Sequence, residues 1–342
     1  MKSKSLKDVM RAGVLYTPDD MPESVSREER EREGLPRDTG RMEDVQPDEH
    51  GNTIHLNSTY TDMIDSSYII RGDMFATFIF FAVPALVIFM AVFVILGIKK
   101  CLEFSDPFWG GAIGLAIAFG ISVAGMCFVF WGLLSPNFFT YTHYPIRFNR
   151  KTRMIHVFRH NGPGGVLSVP WDEAWFHIGK GTYQNNKLMD LRGQVMNGDA
   201  VVDGFPVGIF SADTEKLKQF WKFLVLYMEH GPQALPRDNY IITSPNGSLY
   251  NQFTDSVAYC KMAMPIPILN WIFMILVTLT RWLMMKSCKQ PVWPAEVIAE
   301  STIEPNDPYV WKEPNSNARY AFKKNPDLYE KMQARVKRLS GK

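Results

Sequence analysis

Two long stretches without a charged residue constrain this chain more than any other feature. The first runs from Met74 to Ile98, 25 residues dominated by Phe, Ile, Val, Leu, Ala and Met. An α-helix needs about 20 apolar residues to cross the hydrocarbon core of a bilayer, so this one has length to spare for tilt. Pro84 lies inside it and predicts a kink, which membrane helices tolerate where neighbours satisfy the freed carbonyl. The second stretch, Pro107 to Leu134, is 28 residues long. Phe108 and Trp109 stand at one end of it, with Trp131, Phe138, Phe139, Tyr141 and Tyr144 towards and beyond the other. Aromatic clusters of this kind mark membrane–water interfaces.

Only Lys99 to Asp106 separates the two stretches, which predicts a transmembrane helical hairpin over residues 74–134 with both flanks on one side. Ala112, Ala116, Gly120 and Ala124 recur every fourth residue and give the second helix a flat face that another helix backbone can approach closely. That helix-packing face serves either the first span or a second copy of the chain. Arg147, Arg150, Lys151, Arg153 and Arg159 follow the second stretch, against Lys99 and Lys100 in the short loop. The excess of Lys and Arg sets the cytoplasmic side, so the bulk of the protein is expected there. Whole-chain averages conceal this. Mean hydropathy is -0.12 and net charge +2, because residues 1–73, with ten Lys/Arg against sixteen Asp/Glu, offset a basic remainder.

Residues 1–73 read as an acidic arm too rich in charge and turn formers to offset its ordering entropy, and are expected to be largely disordered. Within the arm, the Glu/Arg run at 27–33 suits a short helix, with opposite charges three and four residues apart. Residues 141–236 read as one compact domain. Pro145–Lys151, Arg153–Arg159, Val166–Trp171, Ala174–Gly179, Lys187–Met196 and Val201–Phe210 alternate with Gly/Asn/Asp turns as about six strands. An amphipathic helix then runs from Thr214 to His230, capped by Asp213 and stopped by Gly231-Pro232. The expectation is an α+β membrane protein: the hairpin plus a small antiparallel sheet, or a barrel, closed by a C-terminal helix. A third hydrophobic segment at 262–285, whose apolar run Met262–Thr280 is weakened by Pro265, Pro267 and Asn270 and followed by Arg281, is either interfacial or re-entrant, or spanning. Residues 290–342 form a C-terminal tail.

Catalytic patterns are missing from the sequence. Cys101, Cys127, Cys260 and Cys288 make no CxxC pair, and there is no HExxH, GxSxG, GxxxxGK[ST] or GxGxxG. His156 and His160 do not share a helical face, and Asp172 and Glu173 are adjacent and point to opposite faces of a strand. Gly162-Pro-Gly-Gly reads as a hairpin turn. No cleavable signal peptide is expected, since the basic start at Lys2, Lys4 and Lys7 is not followed by an apolar run. The expectation is therefore a protein that is not an enzyme, with no catalytic residues, cofactor or metal and no nucleic-acid partner. Arg147, Arg150, Lys151 and Arg153 are the exception worth testing. They suit contact with anionic lipid headgroups, worth about 1 kcal/mol per charge, or merely fix orientation.

The turn at Phe148–Lys151, the strand after it and Val169-Pro-Trp171 resemble the pleckstrin-homology-like (PH-like) domains of bacterial membrane proteins. The order of acidic arm, membrane hairpin, strand-rich domain with Trp171-Asp-Glu and a Pro/Trp-containing end resembles an uncharacterised family of bacterial inner-membrane proteins. Their genes lie near type VI secretion effectors. The resemblance implies an inner-membrane protein with arm and main domain cytoplasmic. Its expected role is immunity against a membrane-targeting effector, or effector accessory. The alternative is a membrane-anchored scaffold whose domain binds protein or anionic lipid. Expected partners are the bilayer, a toxin or secretion-system protein, and a second copy of the chain.

Overall fold

The computed structural model describes residues 22–66, 68, 71–104, 108–129, 138–180, 188–235 and 267–310, with isolated positions between 245 and 256. Its centre is a mixed α+β domain with two antiparallel sheets. Strands β1 (Thr53–Leu56), β2 (Tyr60–Met63), β3 (Ile146–Asn149), β4 (Met154–Phe158) and β5 (Val166–Pro170) form a five-stranded sheet in chain order. Strands β6 (Ala174–Lys180), β7 (Met189–Asn197) and β8 (Ala200–Ser211) form a second sheet, also in chain order. The described strands thus make two sheets rather than one closed barrel. Of the tail expected at 290–342, residues 311–342 lie outside the described ones.

The acidic arm departs most from expectation. From residue 22 onward it is folded, and it supplies two strands of the larger sheet. Ser26 caps the helix α1 (Arg27–Glu33) by accepting from the Glu29 amide, and Asp38 caps a 3₁₀ turn at Thr39–Met42. Ile54, Leu56, Met63 and Ile64 are buried. A short strand needs only a few such residues, and the charges around them hid the pattern. The domain therefore begins near residue 22 rather than at 141.

One core joins both sheets to the helix α5 (Thr214–His230). Leu217, Phe220, Trp221, Leu224, Val225 and Met228 line its buried stripe as the spacing predicts. Trp221 stacks on Trp171 at 5.6 Å between ring centroids and lies 4.8 Å from Phe176. Asp213 accepts from the Glu215 amide at the helix start, and Gly231 ends it at φ +84°, where a side chain would be strained.

The apolar stretches are helical. Helix α2 (Asp73–Thr77) passes through one π-turn (Phe78–Ala82) into α3 (Val83–Phe104), and α4 (Phe108–Val129) follows. The π-turn sits where Pro84 dictates, because a proline ring clashes with the carbonyl four residues back, here that of Phe80. Phe75–Leu96 is long and apolar enough to cross a membrane by length and composition. Beyond Ala76 at its base, none of its residues is buried against protein. Ala116–Gly125 is a shorter apolar stretch of α4. Ala116, Gly120 and Ala124 stand exposed there and a side chain at Gly120 would meet nothing within 4 Å, so their row does not pack on α3. Ala112 belongs to the same helix, with its side chain outside the described ones. Among the described residues, two further helices follow: α6 (Pro267–Ser287) and α7 (Ala295–Glu300).

Candidate functional site

A single row of polar side chains crosses the whole five-stranded sheet. The register places His55 opposite Asp62, Asp62 opposite Arg147, Arg147 opposite His156 and His156 opposite Ser168. Residues paired across antiparallel strands lie on one face, so five strands contribute one residue each to a transverse ladder. Arg147 donates to Asp62 through Nε at 2.7 Å and Nη2 at 2.8 Å. His55 Nδ1 lies 3.1 Å from Asp62 Oδ2, and His156 Nδ1 lies 2.9 Å from Ser168 Oγ. The Arg147 guanidinium is also held between two rings, 3.8 Å from that of Tyr60 and 4.8 Å from that of Trp293.

Burial pushes the Asp62 carboxyl up, but Arg147 and then His55 outweigh it and hold the group at about 2. Arg147 moves the opposite way, its desolvation more than offset by Asp62. Burial, with Arg71 nearby, drives His143 down to about 3, and His177 on β6 is likewise lowered to about 4 by burial and Arg192. Asp62 is thus ionised and both histidines neutral at ordinary pH, and none of the three exchanges a proton near neutrality. Among the described residues, no group of three His, Cys, Asp or Glu could hold a metal ion.

Residues 290–307 lie across the ladder as a strap. Trp293 covers Arg147, Asn149 Nδ2 donates to the Glu300 carbonyl, and Ser58 donates through N and Oγ to Asp307, both at 2.7 Å. Glu300 Oε2 stands 3.5 Å from His156 Nε2, too far for a good hydrogen bond. Of the residues expected to contact anionic lipid, this arrangement takes Arg147 out of the surface and gives Lys151 and Arg153, still partly exposed, acidic partners. Arg147 is buried in its pair, Lys151 is paired with Glu304, and Arg153 is held by Asp172 and Glu229. Arg150 is half-buried beside Gly231. The acidic partners that neutralise three of these four come from residues 62, 172, 229 and 304, scattered along the chain, so counting basic residues near a span could not find them.

A second polar construction fastens the apolar helices to the domain. Arg281 on α6 is fully buried. It donates through Nη1 to the carbonyls of Tyr68 (3.0 Å) and Arg71 (2.9 Å) and through Nε to Gln252 Oε1 (3.3 Å). Its Nη2 lies 3.4 Å from Asp255 Oδ2, which also accepts from the Tyr68 hydroxyl at 2.7 Å. Gly72 permits the approach: at φ +79°, a Cβ there would stand 2.7 Å from the Arg281 side chain and 2.8 Å from its amide nitrogen. Arg71 in turn donates to the Tyr141 carbonyl and lies over the Tyr144 ring, while Asp65 accepts from the Tyr144 amide at 2.9 Å. The base of α2, the segment after α4 and the end of α6 therefore meet in one buried knot. Arg281 is the residue that sequence reasoning missed. Its only signal was a lone charge ending an apolar run.

The model of a protein family described as a family of unknown function (DUF6708) matches residues 123–305, just over half of the chain. The match runs from the end of α4 through β3 to β8, α5 and α6 to the strap, and leaves out β1 and β2. No curated protein and no solved structure matches the chain.

Proposed function

Since the chain belongs to this family, whose description assigns no activity, we propose from its own geometry that it is a membrane-anchored docking protein without catalytic function. One observation carries the reading. Phe75–Leu96 presents Val87, Ile88, Phe89, Val92, Ile95 and Leu96 at least half exposed, an apolar surface that no described part of the protein covers. Soluble proteins seldom leave so large an apolar patch open to water. In this reading α2–α3 and α4 form a transmembrane hairpin, and the exposed small-residue row of α4 is the face offered to another helix. Two antiparallel sheets followed by one amphipathic helix suit the PH-like architecture that the sequence resembles. The basic residues after the second helix favour a cytoplasmic domain in a bacterial inner membrane.

The role that fits is recognition of a protein, with immunity to a membrane-targeting type VI effector, or assistance to one, as the setting implied by the sequence resemblance. Partners would be the bilayer, a toxin or secretion-system protein, and a second copy of the chain. A membrane-anchored scaffold that binds protein or anionic lipid is the other reading, with the partly exposed Lys151 and Arg153 as the charges that would meet headgroups. Two experiments test this. Alkaline carbonate is expected to leave the full chain in the membrane pellet, and its release would refute anchoring. Cells lacking the gene are expected to lose viability against effector-armed siblings, and unchanged survival would refute immunity and leave the scaffold.

A further inference from the structure

Helix α6 runs antiparallel to the first apolar helix. Thr280 Oγ1 donates to the Gly72 carbonyl, Val277 and Phe273 pack on Ala76, and Phe273 meets Phe80 with ring centroids 5.6 Å apart. Its C-terminal end is tied to the domain. Met285 packs with Ile54, Ile64 and Tyr68, the Phe139 amide donates to Ser287 Oγ, and the Thr142 amide donates to the Lys289 carbonyl. From Arg281 back to Pro267 the helix rises about 21 Å, short of the hydrocarbon core of about 30 Å. The chain ahead of α6 is held at the same level as its end, because Gln252 and Asp255 both bond Arg281.

Along the side of α6 turned away from these contacts, Trp271, Ile272, Ile275, Leu279 and Leu283 are exposed. They recur at three- and four-residue spacing and so form one stripe. At the base this stripe gives way to the half-buried Trp282 and the exposed Phe139, Lys286 and Lys289, residue types that settle at the headgroup level. The stripe is apolar like the uncovered residues Val87–Leu96 of the first helix, whose base at Ala76 and Phe80 α6 packs against.

We infer that α6 is a re-entrant element, entering one leaflet beside the first span from the domain side and presenting its outer stripe to the acyl chains of that leaflet. The inference rests on the membrane reading above and adds to it a fixed topology: the chain on both sides of α6 stays with the domain. Arg281 sets the depth, since its buried bonds to the loop at 68–72 hold that turn of the helix at the foot of the span. A helix anchored in this way cannot cross without breaking the knot.

The test uses the full chain in bacterial inner-membrane vesicles, with the four native cysteines replaced by serine. Single cysteines are placed at exposed positions: Val202→Cys on the domain, Leu249→Cys before α6, Val292→Cys after it, and Ile275→Cys or Leu279→Cys on the stripe. Release by alkaline carbonate overturns the membrane reading and this inference with it. In chains that stay in the membrane, a membrane-impermeant maleimide is expected to label residues 202, 249 and 292 from one face. A nitroxide at 275 or 279 is expected to collide several-fold more often with oxygen than with a polar nickel complex. Labelling of 249 and 292 from opposite faces overturns the re-entrant course while leaving the anchor intact. A nitroxide at both stripe positions as open to nickel as one at 202 overturns the lipid contact.

Discussion

Replacing Asp62 by asparagine preserves the shape of the side chain and removes the charge that holds Arg147. The guanidinium would remain between the Tyr60 and Trp293 rings, 7% exposed, with one of its two charge-assisted hydrogen bonds lost to the amide nitrogen and the other weakened. Removing one partner of a buried ion pair costs about 3–5 kcal/mol, because the other charge stays desolvated. The titration gives a second route to the magnitude. Holding the carboxyl at about 2 instead of its ordinary 3.8 corresponds to about 2 kcal/mol of stabilisation of the ionised form. The expected loss is therefore about 2–5 kcal/mol, read as a shift in the urea midpoint of the full chain in detergent, followed by tryptophan fluorescence. The double variant Asp62→Asn/Arg147→Met is expected to recover much of it, since neither charge is then stranded. The sign with pH follows from the depressed carboxyl: this stabilisation is complete above about pH 4 and is lost as pH falls towards 2, and Asp62→Asn removes that part of the acid sensitivity. A single-variant loss below about 1 kcal/mol, the value of an exposed pair, would refute the buried ladder.

Other perturbations separate the knot, the ladder and the surface. Arg281→Met strands Asp255 and frees two carbonyls, and is expected to cost about 3–5 kcal/mol by the same unfolding assay and to expose residues 249–256 to protease. Gly72→Ala forces a Cβ against the Arg281 backbone at φ +79°, and a loss above about 1 kcal/mol in the same midpoint is expected. His143 is held neutral down to about 3, against about 6.5 when unfolded, so its contribution is present above pH 6.5 and lost as pH falls through that range. His143→Gln is expected to flatten the midpoint between pH 6.5 and 4. Lys151→Glu breaks only an exposed pair with Glu304, so less than about 1 kcal/mol and no change in membrane pelleting are expected.

Long-period patterns were legible in the sequence and sparse ones were not. The uncharged runs, the helix at Thr214–His230 with its cap and stop, and most strands between 145 and 210 follow from local periodicity and turn residues, and the structure has them. Strands β1 and β2 did not announce themselves. Four residues each, they lie in a segment whose average is acidic, and they join the sheet only because β2 pairs with β3, more than 80 residues on, and β1 pairs with β2. The same non-locality hid the ladder: Arg147 read as a free cation because its partner Asp62 lies on the far side of the hairpin in sequence and next to it in the sheet.

Arg281 shows why the third apolar segment divided the sequence reading between an interfacial or re-entrant segment and a spanning one. A charge at the end of an apolar helix reads as a stop signal beyond the membrane, and counting it with Lys286 and Lys289 only asks which side the tail occupies. In the structure Arg281 is no flanking charge. It is wholly buried, satisfied by two backbone carbonyls, Gln252 and Asp255, and stacked 5.2 Å from the Tyr68 ring. The desolvation cost of a guanidinium is tolerable only where such partners are fixed beforehand. They are supplied by the loop between β2 and the first apolar helix and by the approach to α6 itself. The residue thus couples α6 to the base of the first apolar helix and to the sheet through Tyr68, Arg71 and Asp65, so that a pull on either helix is felt at the edge of β2.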